Sequence, residues 1–213
     1  MKNILCYGDS NTFGYDPYTD GRYDYDVRWP GALQNILGRD QYYVVEEGLG
    51  DRTTVLNDPL MYDNKNGHAL LPAIIASHMP LDLIIIMLGT NDTKARYGAE
   101  APDIARSAVR LAQTAKFISS VEGEESQVLL IAPMPITEDV KHGGCSFELG
   151  DHSIRVAAEM PQWYKRFAGE AGIPLLDASE FVQASEEDGV HLTPEGHRIL
   201  AEKVAAKIKE MIG

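Results

Sequence analysis

The sequence predicts an α/β fold in which a mainly five-stranded parallel sheet lies between two layers of helices, a three-layer α/β/α sandwich. The first observation is that several short runs are almost continuously apolar, such as Leu83–Leu88 and Val128–Ile131. Such runs are typical of strands that helices cover on both faces. The second observation is that longer windows with helical periodicity separate these runs, and this alternation favours a parallel sheet.

Five short apolar segments are the predicted strands. In chain order they are Asn3–Tyr7, Tyr42–Glu47, Leu81–Leu88, Gln127–Ala132 and Ile173–Leu176. The first segment runs directly into Gly8-Asp9 and is too short to be the apolar part of a secretory signal. The third and fourth segments contain the continuous apolar runs, so we expect helices to cover both of their faces.

Five windows with helical periodicity are the predicted helices. In chain order they are Gly31–Leu37, Ala69–His78, Pro102–Val121, Ile154–Ala171 and Pro194–Ile212. The last window carries Leu200, Val204 and Ile208 at helical spacing. Thr193 stands where an N-cap residue is expected, and Pro194 stands in the first turn, where proline is tolerated.

Two stretches interrupt the alternation of strands and helices. Tyr15–Trp29 interleaves tyrosines with aspartates, and Pro133–Ser153 contains Gly143-Gly144 and Gly150. Long segments without regular secondary structure often form cavity walls, lids or contact surfaces. We expect such a role for the aromatic stretch, whereas a simple solvated loop is an equal alternative for the second.

The composition indicates a single acidic domain. The 213 residues are 44% hydrophobic and 24% charged, which is ordinary for a globular protein, so we expect residues 1–213 to form one domain. The formal net charge of −13 disfavours nucleic acid and anionic membrane surfaces as partners. No targeting segment or membrane span is apparent, so we expect a soluble cytoplasmic protein.

The cysteines and histidines do not indicate a metal site. Cys6 and Cys145 cannot form a disulfide framework, and no residues with zinc-ligand spacing lie near them. Cys6 falls in the first predicted strand and is interpreted as a small core residue. His142 and His152 flank the glycine-rich loop without a third ligand, so we expect no bound metal.

Polar residues follow the predicted strands at three places. These are Gly8–Asn11, Gly89–Asp92 and Asp188–His191, the last of which precedes the final helix. Each segment alone is compatible with ordinary turn chemistry. A parallel sheet would gather all three at one edge, where a serine, a histidine base and an acid that orients the histidine can cooperate.

Four ordered blocks make the sequence resemble the SGNH (GDSL-like) hydrolases over essentially its whole length. The blocks are Gly8–Asn11, Gly48–Thr53, Gly89–Asp92 and Asp188–His191. Further segments resemble the arylesterase/acyltransferase branch of that family, namely Arg28-Trp29, Glu46–Leu49, Pro80–Leu83 and Met87–Lys94. The resemblance implies a flavodoxin-like fold and an esterase that hydrolyses, or transfers, small acyl groups without a cofactor.

The resemblance also implies roles for individual residues. Ser10 would be the nucleophile, His191 the general base and then acid, and Asp188 the residue that orients His191. Asn91 and the backbone N–H of Ser10 would donate to the oxyanion that forms in acyl transfer.

A third oxyanion donor would be a backbone amide of the second block. The commonest family pattern has a glycine there, whereas matching by length places Asp51 at this position and Gly50 one residue earlier. The assignment between Gly50 and Asp51 is therefore open. A carboxylate near the oxyanion is unfavourable, so we expect Asp51 to point away or to pair with Arg52.

Less specific expectations concern the substrate pocket and the partners. The candidate pocket residues are Asp9, Asn11, Trp29 and Lys94. Lys94 follows the third block, and a surface role is an equal alternative for it. Trp29 is a candidate because an aromatic side chain can line a pocket for the acyl group or the alcohol. The expected partner is a small-molecule ester, without nucleic acid or membrane. The aromatic stretch and the resemblance together suggest a homo-oligomer.

The sequence disfavours three alternatives. An α/β-hydrolase is disfavoured because Thr12 stands where its G-x-S-x-G motif has the second glycine. A nucleotide-binding module is disfavoured because the Gly48–Thr53 segment lacks the third small residue of a dinucleotide fingerprint. A catalytically silent module that binds a nucleotide or carbohydrate on the same scaffold is disfavoured because every catalytic residue type is present.

Overall fold

The computed structural model describes residues 1–213 and contains a five-stranded parallel sheet and a short antiparallel hairpin. The strands are β1 (Lys2–Gly8), β2 (Tyr15–Asp16), β3 (Gly21–Arg22), β4 (Tyr42–Gly48), β5 (Leu83–Met87), β6 (Gln127–Ala132) and β7 (Leu175–Asp177). The sheet has the order β4-β1-β5-β6-β7, and β2 pairs with β3. From β1 the chain goes to β4 on one side of β1 and then to β5 on the other side. In open parallel sheets, ligand sites form beyond the carboxyl ends of the strands where the strand order reverses in this way.

Six α-helices connect and cover the strands. They are α1 (Ser10–Phe13), α2 (Trp29–Leu37), α3 (Gly67–His78), α4 (Ala101–Glu122), α5 (Asp151–Ala171) and α6 (Pro194–Ile212). Short 3-10 turns occur at Asn91–Thr93, Ala95–Tyr97, Glu138–Lys141 and Ala178–Glu180. None of the helices combines the length and the apolar composition that crossing a membrane requires.

Alternate side chains of the central strands face two separate apolar cores. On β5, Ile84 and Ile86 lie in the core that α3, α4 and α5 cover, whereas Leu83, Ile85 and Met87 lie in the core that α2 and α6 cover. All five side chains are buried, and burying one such side chain contributes about 1.5–3 kcal/mol. The predicted sandwich, with a sheet between two helical layers, is therefore confirmed.

The predicted strands and helices all occur, and two of them have the predicted bounds. These two are β6, at Gln127–Ala132, and α6, at Pro194–Ile212. Thr193 caps α6 as expected, because its side-chain oxygen accepts a hydrogen bond of 3.0 Å from the backbone N–H of Gly196.

Four predicted strands have different bounds in the structure, and two of them start two residues later than predicted. The segment Leu81–Leu88 forms a shorter strand, and the Leu88 carbonyl accepts a hydrogen bond of 2.6 Å from the hydroxyl of Tyr164 on α5. The segment Ile173–Leu176 starts its strand only at Leu175, because the Ile173 amide closes the end of α5 by donating to the Ala168 carbonyl at 2.9 Å. Helix contacts therefore compete with strand pairing at these two ends.

The aromatic stretch contains the β2–β3 hairpin, which the sequence pattern did not predict. The hairpin consists of two residue pairs, Tyr15 with Arg22 and Asp16 with Gly21. Arg22 joins it to the end of α1, since its Nε donates to the Phe13 carbonyl at 2.7 Å. The stretch is thus folded against the carboxyl edge of the sheet.

Candidate active site

Ser10 is the first residue of α1, directly beyond the end of β1. The preceding residue caps this helix, because a carboxylate oxygen of Asp9 accepts a hydrogen bond of 3.0 Å from the Asn11 amide. Gly8 is required for the close approach of the turn, since a Cβ there would lie 2.0 Å from the Thr12 hydroxyl oxygen. Strand end and helix start therefore present Ser10 at the sheet edge.

His191 and Asp188 complete a hydrogen-bonded chain with Ser10. The Nε2 atom of His191 lies 2.8 Å from the Ser10 Oγ, and its Nδ1 lies 2.5 Å from the Asp188 Oδ2. The other carboxylate oxygen of Asp188 accepts hydrogen bonds from the amides of Val190 and His191, each 3.0 Å long. The structure thus brings together three residues that the sequence separates by up to 181 positions.

The surroundings of Asp188 favour its ionised form. Burial alone would raise the pKa of this carboxyl group, but its hydrogen bond to His191, the charge of His191 and the two backbone amides outweigh burial. The pKa of Asp188 is therefore lowered. An ionised Asp188 can hold the proton of His191 on Nδ1 and leave Nε2 free to accept the Ser10 proton.

An aromatic ring packs against the imidazole ring of His191. The ring of Tyr15 lies 4.4 Å from the imidazole ring, measured between centroids, at an angle of 48°. The Tyr15 hydroxyl donates to the Asp20 carboxylate at 2.9 Å, which ties the ring to the loop between β2 and β3. No sequence motif marked Tyr15 as a site residue, although Tyr15 lies in the stretch that was expected to form a wall.

Asn11 and Asp9 do not line the cavity, in contrast to the expectation that they are pocket residues. Asn11 is buried and its side-chain oxygen accepts a hydrogen bond of 2.9 Å from the Leu192 amide. This hydrogen bond therefore connects the segment that contains His191 to α1, the helix that begins with Ser10. Asp9 is buried beneath Ser10, and its burial raises the pKa of its carboxyl group to about 6.

Trp29 is also placed differently from the expectation. Its side chain is fully buried in the core that α2 and α6 cover, and its backbone amide contacts the Nδ1 of His197 at 3.2 Å. Trp29 is the first residue of α2, and α6 packs directly over it. Its side chain is therefore part of the hydrophobic core. Trp29 therefore supports the fold and not the cavity.

Asn91 lies at the end of β5 and connects two of the sequence blocks. Its side-chain Nδ2 donates to the Arg52 carbonyl at 3.1 Å, and Asn91 also lines the cavity. The neighbouring Asp92 is buried and its carboxylate accepts a hydrogen bond of 3.0 Å from the Thr54 amide. The Arg52 guanidinium donates to the Gly8 carbonyl at 2.8 Å. The strand ends of β1, β4 and β5 are thus joined by buried polar contacts.

Asp51 pairs with Lys94, whereas the expectation was that it points away from the oxyanion or pairs with Arg52. The Asp51 Oδ1 lies 2.5 Å from the Lys94 Nζ, and the backbone of Asp51 has a φ of 64°. Gly50 and Asp51 both line the cavity. The backbone N–H groups of Ser10, Gly50 and Asp51 donate to no acceptor within the protein.

The cavity beside these residues has a volume of about 750 Å³. This is within the usual range of roughly 300–1,000 Å³ for small-molecule sites. Both stretches that interrupt the sequence pattern contribute to its wall, with Tyr15, Pro17 and Asp20 from the first and the glycine-rich loop around Cys145 from the second. Lys94 lines the cavity as expected, and the second stretch is a wall instead of a simple solvated loop.

Cys145, Asp188 and His191 are the residues that could hold a metal ion, since their ligand atoms lie within 4.8 Å of one another. Sequence spacing could not reveal this group. Burial and the nearby charge of Asp188 raise the pKa of the Cys145 thiol to about 11, so the thiol keeps its proton near neutral pH. Because metal binding needs a thiolate and because Asp188 and His191 are bonded to each other, a proton-transfer chain fits this geometry better.

Comparison with known proteins identifies a family and several similar structures. Residues 6–199 match the GDSL-like lipase/acylhydrolase family. The native aryl esterase of M. smegmatis is 34% identical, with a TM-score of 0.92 and full coverage of both chains. A carbohydrate acetylesterase family member from Sinorhizobium meliloti is 32% identical, with a TM-score of 0.92 and full coverage of both chains.

Curated relatives are more distant in sequence. An acetylxylan esterase of Xylanibacter ruminicola is 28% identical over 97% of this chain and 43% of its own length. A human isoamyl acetate-hydrolyzing esterase 1 homolog is 26% identical over 65% of this chain and 61% of its own length. The chain thus spans less than two thirds of the length of either relative.

Proposed function

The chain belongs to the GDSL-like lipase/acylhydrolase family, and we propose that it is a serine esterase that hydrolyses esters of small acyl groups. The observation that carries this proposal is the contact of 2.8 Å between the His191 Nε2 and the Ser10 Oγ at the cavity wall. A hydroxyl group that is bonded to an imidazole, which is itself bonded to a carboxylate, has the arrangement of an activated nucleophile.

In the first half of the reaction, Ser10 attacks the ester carbonyl carbon. His191 accepts the Ser10 proton on Nε2 while Asp188 stabilises the charged imidazole through Nδ1. The tetrahedral intermediate then collapses, its bond to the alcohol oxygen breaks, and His191 returns the proton to the leaving alcohol. The product of this half is an acyl group esterified to Ser10.

The oxyanion of the tetrahedral intermediate would be stabilised by donors that are already in place. The available donors are the Ser10 amide, an amide of Gly50 or Asp51, and the second N–H of the Asn91 Nδ2 group. Donors that need no reorganisation stabilise developing charge more strongly than water does. The contact of Asn91 with the Arg52 carbonyl supports this role, because it holds the amide group in one orientation.

In the second half, water replaces the alcohol. His191 accepts a proton from this water, the hydroxide attacks the acyl carbon, and the bond to the Ser10 oxygen breaks as Ser10 regains its proton. An alcohol could replace water here and give acyl transfer. The polar wall formed by Asp20, Glu148 and Glu187 leaves the cavity accessible to water, so we propose that hydrolysis predominates.

The substrate class we propose is acetyl or similarly small esters of aryl alcohols, alkyl alcohols or carbohydrates. The relatives reported above include an aryl esterase, a carbohydrate acetylesterase family member and an acetylxylan esterase, and these support this class. The cavity of about 750 Å³ has room for a small acyl group together with a sugar or aromatic alcohol.

The test is a hydrolysis screen of acetyl, butyryl and octanoyl esters with aryl and sugar alcohols. We expect turnover of the acetyl esters, loss of this turnover in Ser10→Ala and no loss in Ser120→Ala, which changes an exposed serine on α4. Addition of a simple alcohol should give transester only as the minor product. Absence of ester hydrolysis, or full activity of Ser10→Ala, would contradict the proposal.

A further inference from the structure

A buried lysine ammonium group lies between two carboxylates at the cavity wall. Only 2% of the Lys94 side chain is exposed, and its Nζ lies 2.5 Å from the Asp51 Oδ1 and 2.6 Å from the Glu148 Oε2. A buried ammonium group is costly unless it is paired, and here it has two partners from different loops. Such an arrangement joins the loop after β4 to the loop that precedes α5.

The pairing with Glu148 continues into a longer network. Glu148 also binds Arg96 at 2.6 Å, and Arg96 binds Asp58 at 2.6 Å. The Tyr97 hydroxyl donates to the same Asp58 carboxylate at 2.7 Å. Although burial opposes it, hydrogen bonding to Tyr97 and Arg96 lowers the pKa of Asp58 to about 2, so the network is charged at neutral pH. A second cation, Arg96, thereby holds the Glu148 carboxylate that pairs with Lys94.

Asp51 lines the cavity with an unusual backbone conformation and a charged side chain. Its φ of 64° is uncommon for a residue other than glycine, and an aspartate there needs support from its surroundings. The next carbonyl along the chain, that of Arg52, accepts the hydrogen bond from Asn91. The segment is therefore fixed by Asn91 on one side and by Lys94 on the other.

An unpaired Asp51 carboxylate would oppose the reaction. Asp51, Ser10 and Asn91 line the same cavity, where negative charge develops on the substrate oxygen. A free negative charge beside this oxygen would raise the energy of the intermediate, and loss of the ion pair would release the strained backbone.

We propose that Lys94 is a positioning residue of the oxyanion site: it neutralises the Asp51 carboxylate, draws it away from the substrate oxygen and holds the loop whose amide donates to that oxygen. This inference rests on the proposed esterase function. It assigns Lys94 a role through Asp51 and no contact with the substrate. The compensation is particular to a chain that carries aspartate at this position.

The test is a double-variant cycle of Lys94→Met, Asp51→Asn and the combination of both, with kcat and KM measured on an aryl acetate. We expect Lys94→Met to lower kcat by about 10- to 100-fold and to change KM much less. Asparagine accepts a positive φ and carries no charge, so the combined variant should recover kcat by about fivefold or more relative to Lys94→Met. Lys116→Met, which removes a half-buried lysine of α4 that does not line the cavity, should retain full activity.

Thermal unfolding of each variant separates positioning from stability. Unchanged kcat in folded Lys94→Met, or a folded combined variant no faster than Lys94→Met, would overturn the inference. Failure of both Lys94 variants to fold would overturn it too, because Lys94 would then act on stability alone. Ser10→Ala in the same series shows whether the proposed function itself has failed.

Discussion

Asn91 holds two loops around the cavity together through one side-chain amide. One of its N–H groups donates to the Arg52 carbonyl, which leaves the second for a substrate oxygen. We expect Asn91→Ala to lower kcat about 10²- to 10³-fold, the usual cost of losing one oxyanion donor. Steady-state kinetics on an aryl acetate measure this loss, with the exposed Asn35→Ala as control. A variant that hydrolyses the ester at nearly the normal rate would contradict the role of Asn91.

At the scale of residues, local motifs predicted the hydrogen-bonded chain but not its surroundings. Ser10, Asp188 and His191 were predictable because they lie in two short sequence blocks, one directly after β1 and one shortly before α6. The positions of Tyr15 and Cys145 in the cavity wall were not predictable, since they depend on how two irregular stretches fold over the cavity. Trp29 was wrongly expected in the pocket because residue type does not distinguish a core tryptophan from a wall tryptophan.

At the scale of elements, two buried carboxyl groups, those of Asp9 and Asp92, lie beyond the carboxyl ends of β1 and β5. Burial raises the pKa of Asp9 and that of Asp92 to about 6, although hydrogen bonds from the Asn11 amide and from Thr54 oppose this. Unfolded aspartate has a pKa near 3.9, so between about pH 4 and pH 6 the folded state holds protons that the unfolded state has released. These groups therefore make the protein less stable as the pH rises through this range.

The variant Asp92→Asn isolates one of these groups. Because asparagine cannot ionise, we expect the unfolding free energy of the variant minus that of the wild type to rise between pH 4 and pH 7. A shift of about two pKa units sets an upper limit of about 3 kcal/mol on this rise. Urea unfolding at several pH values measures it, with the exposed Asp40→Asn as control. A difference that stays constant with pH would contradict the buried-carboxyl interpretation.

The elements themselves were predictable where one physical signal dominated. Continuous apolar runs placed the central strands, and the Thr193-Pro194 cap placed the start of α6. The ends of β5 and the start of β7 were not predictable, because Tyr164 and the last turn of α5 compete for backbone groups there. The β2–β3 hairpin was missed because it has only two residue pairs and no alternating apolar pattern.

At the scale of the whole molecule, the formal net charge is −13, and the wall of the cavity carries acidic residues as well. Asp20 and Glu187 are exposed residues of its wall. Lys94, by contrast, is already neutralised by two carboxylates. The field at the entrance is therefore negative, and it should act on the charge of the incoming ester.

We expect kcat/KM to follow the order cationic, neutral, anionic for phenyl acetates that carry a trimethylammonium group, no charge or a carboxylate. Each step should be about fivefold at low salt, as for one charge at short range in water. Added salt should reduce the steps, because the screening length is about 10 Å at 0.1 M. Glu187→Gln should reduce them as well, whereas the distant Glu124→Gln should not. Equal values for the three esters would contradict this interpretation.

The central claim is that Ser10 forms a covalent acyl intermediate, and rapid-quench mass spectrometry tests it most directly. After mixing with an aryl acetate, we expect a burst of the aryl alcohol and one acetyl group on the peptide that contains Ser10. Ser10→Ala should give neither the burst nor the acetyl group, and Cys145→Ala should give both. Acetylation of Cys145 in place of Ser10, or turnover that persists in Ser10→Ala, would contradict the claim.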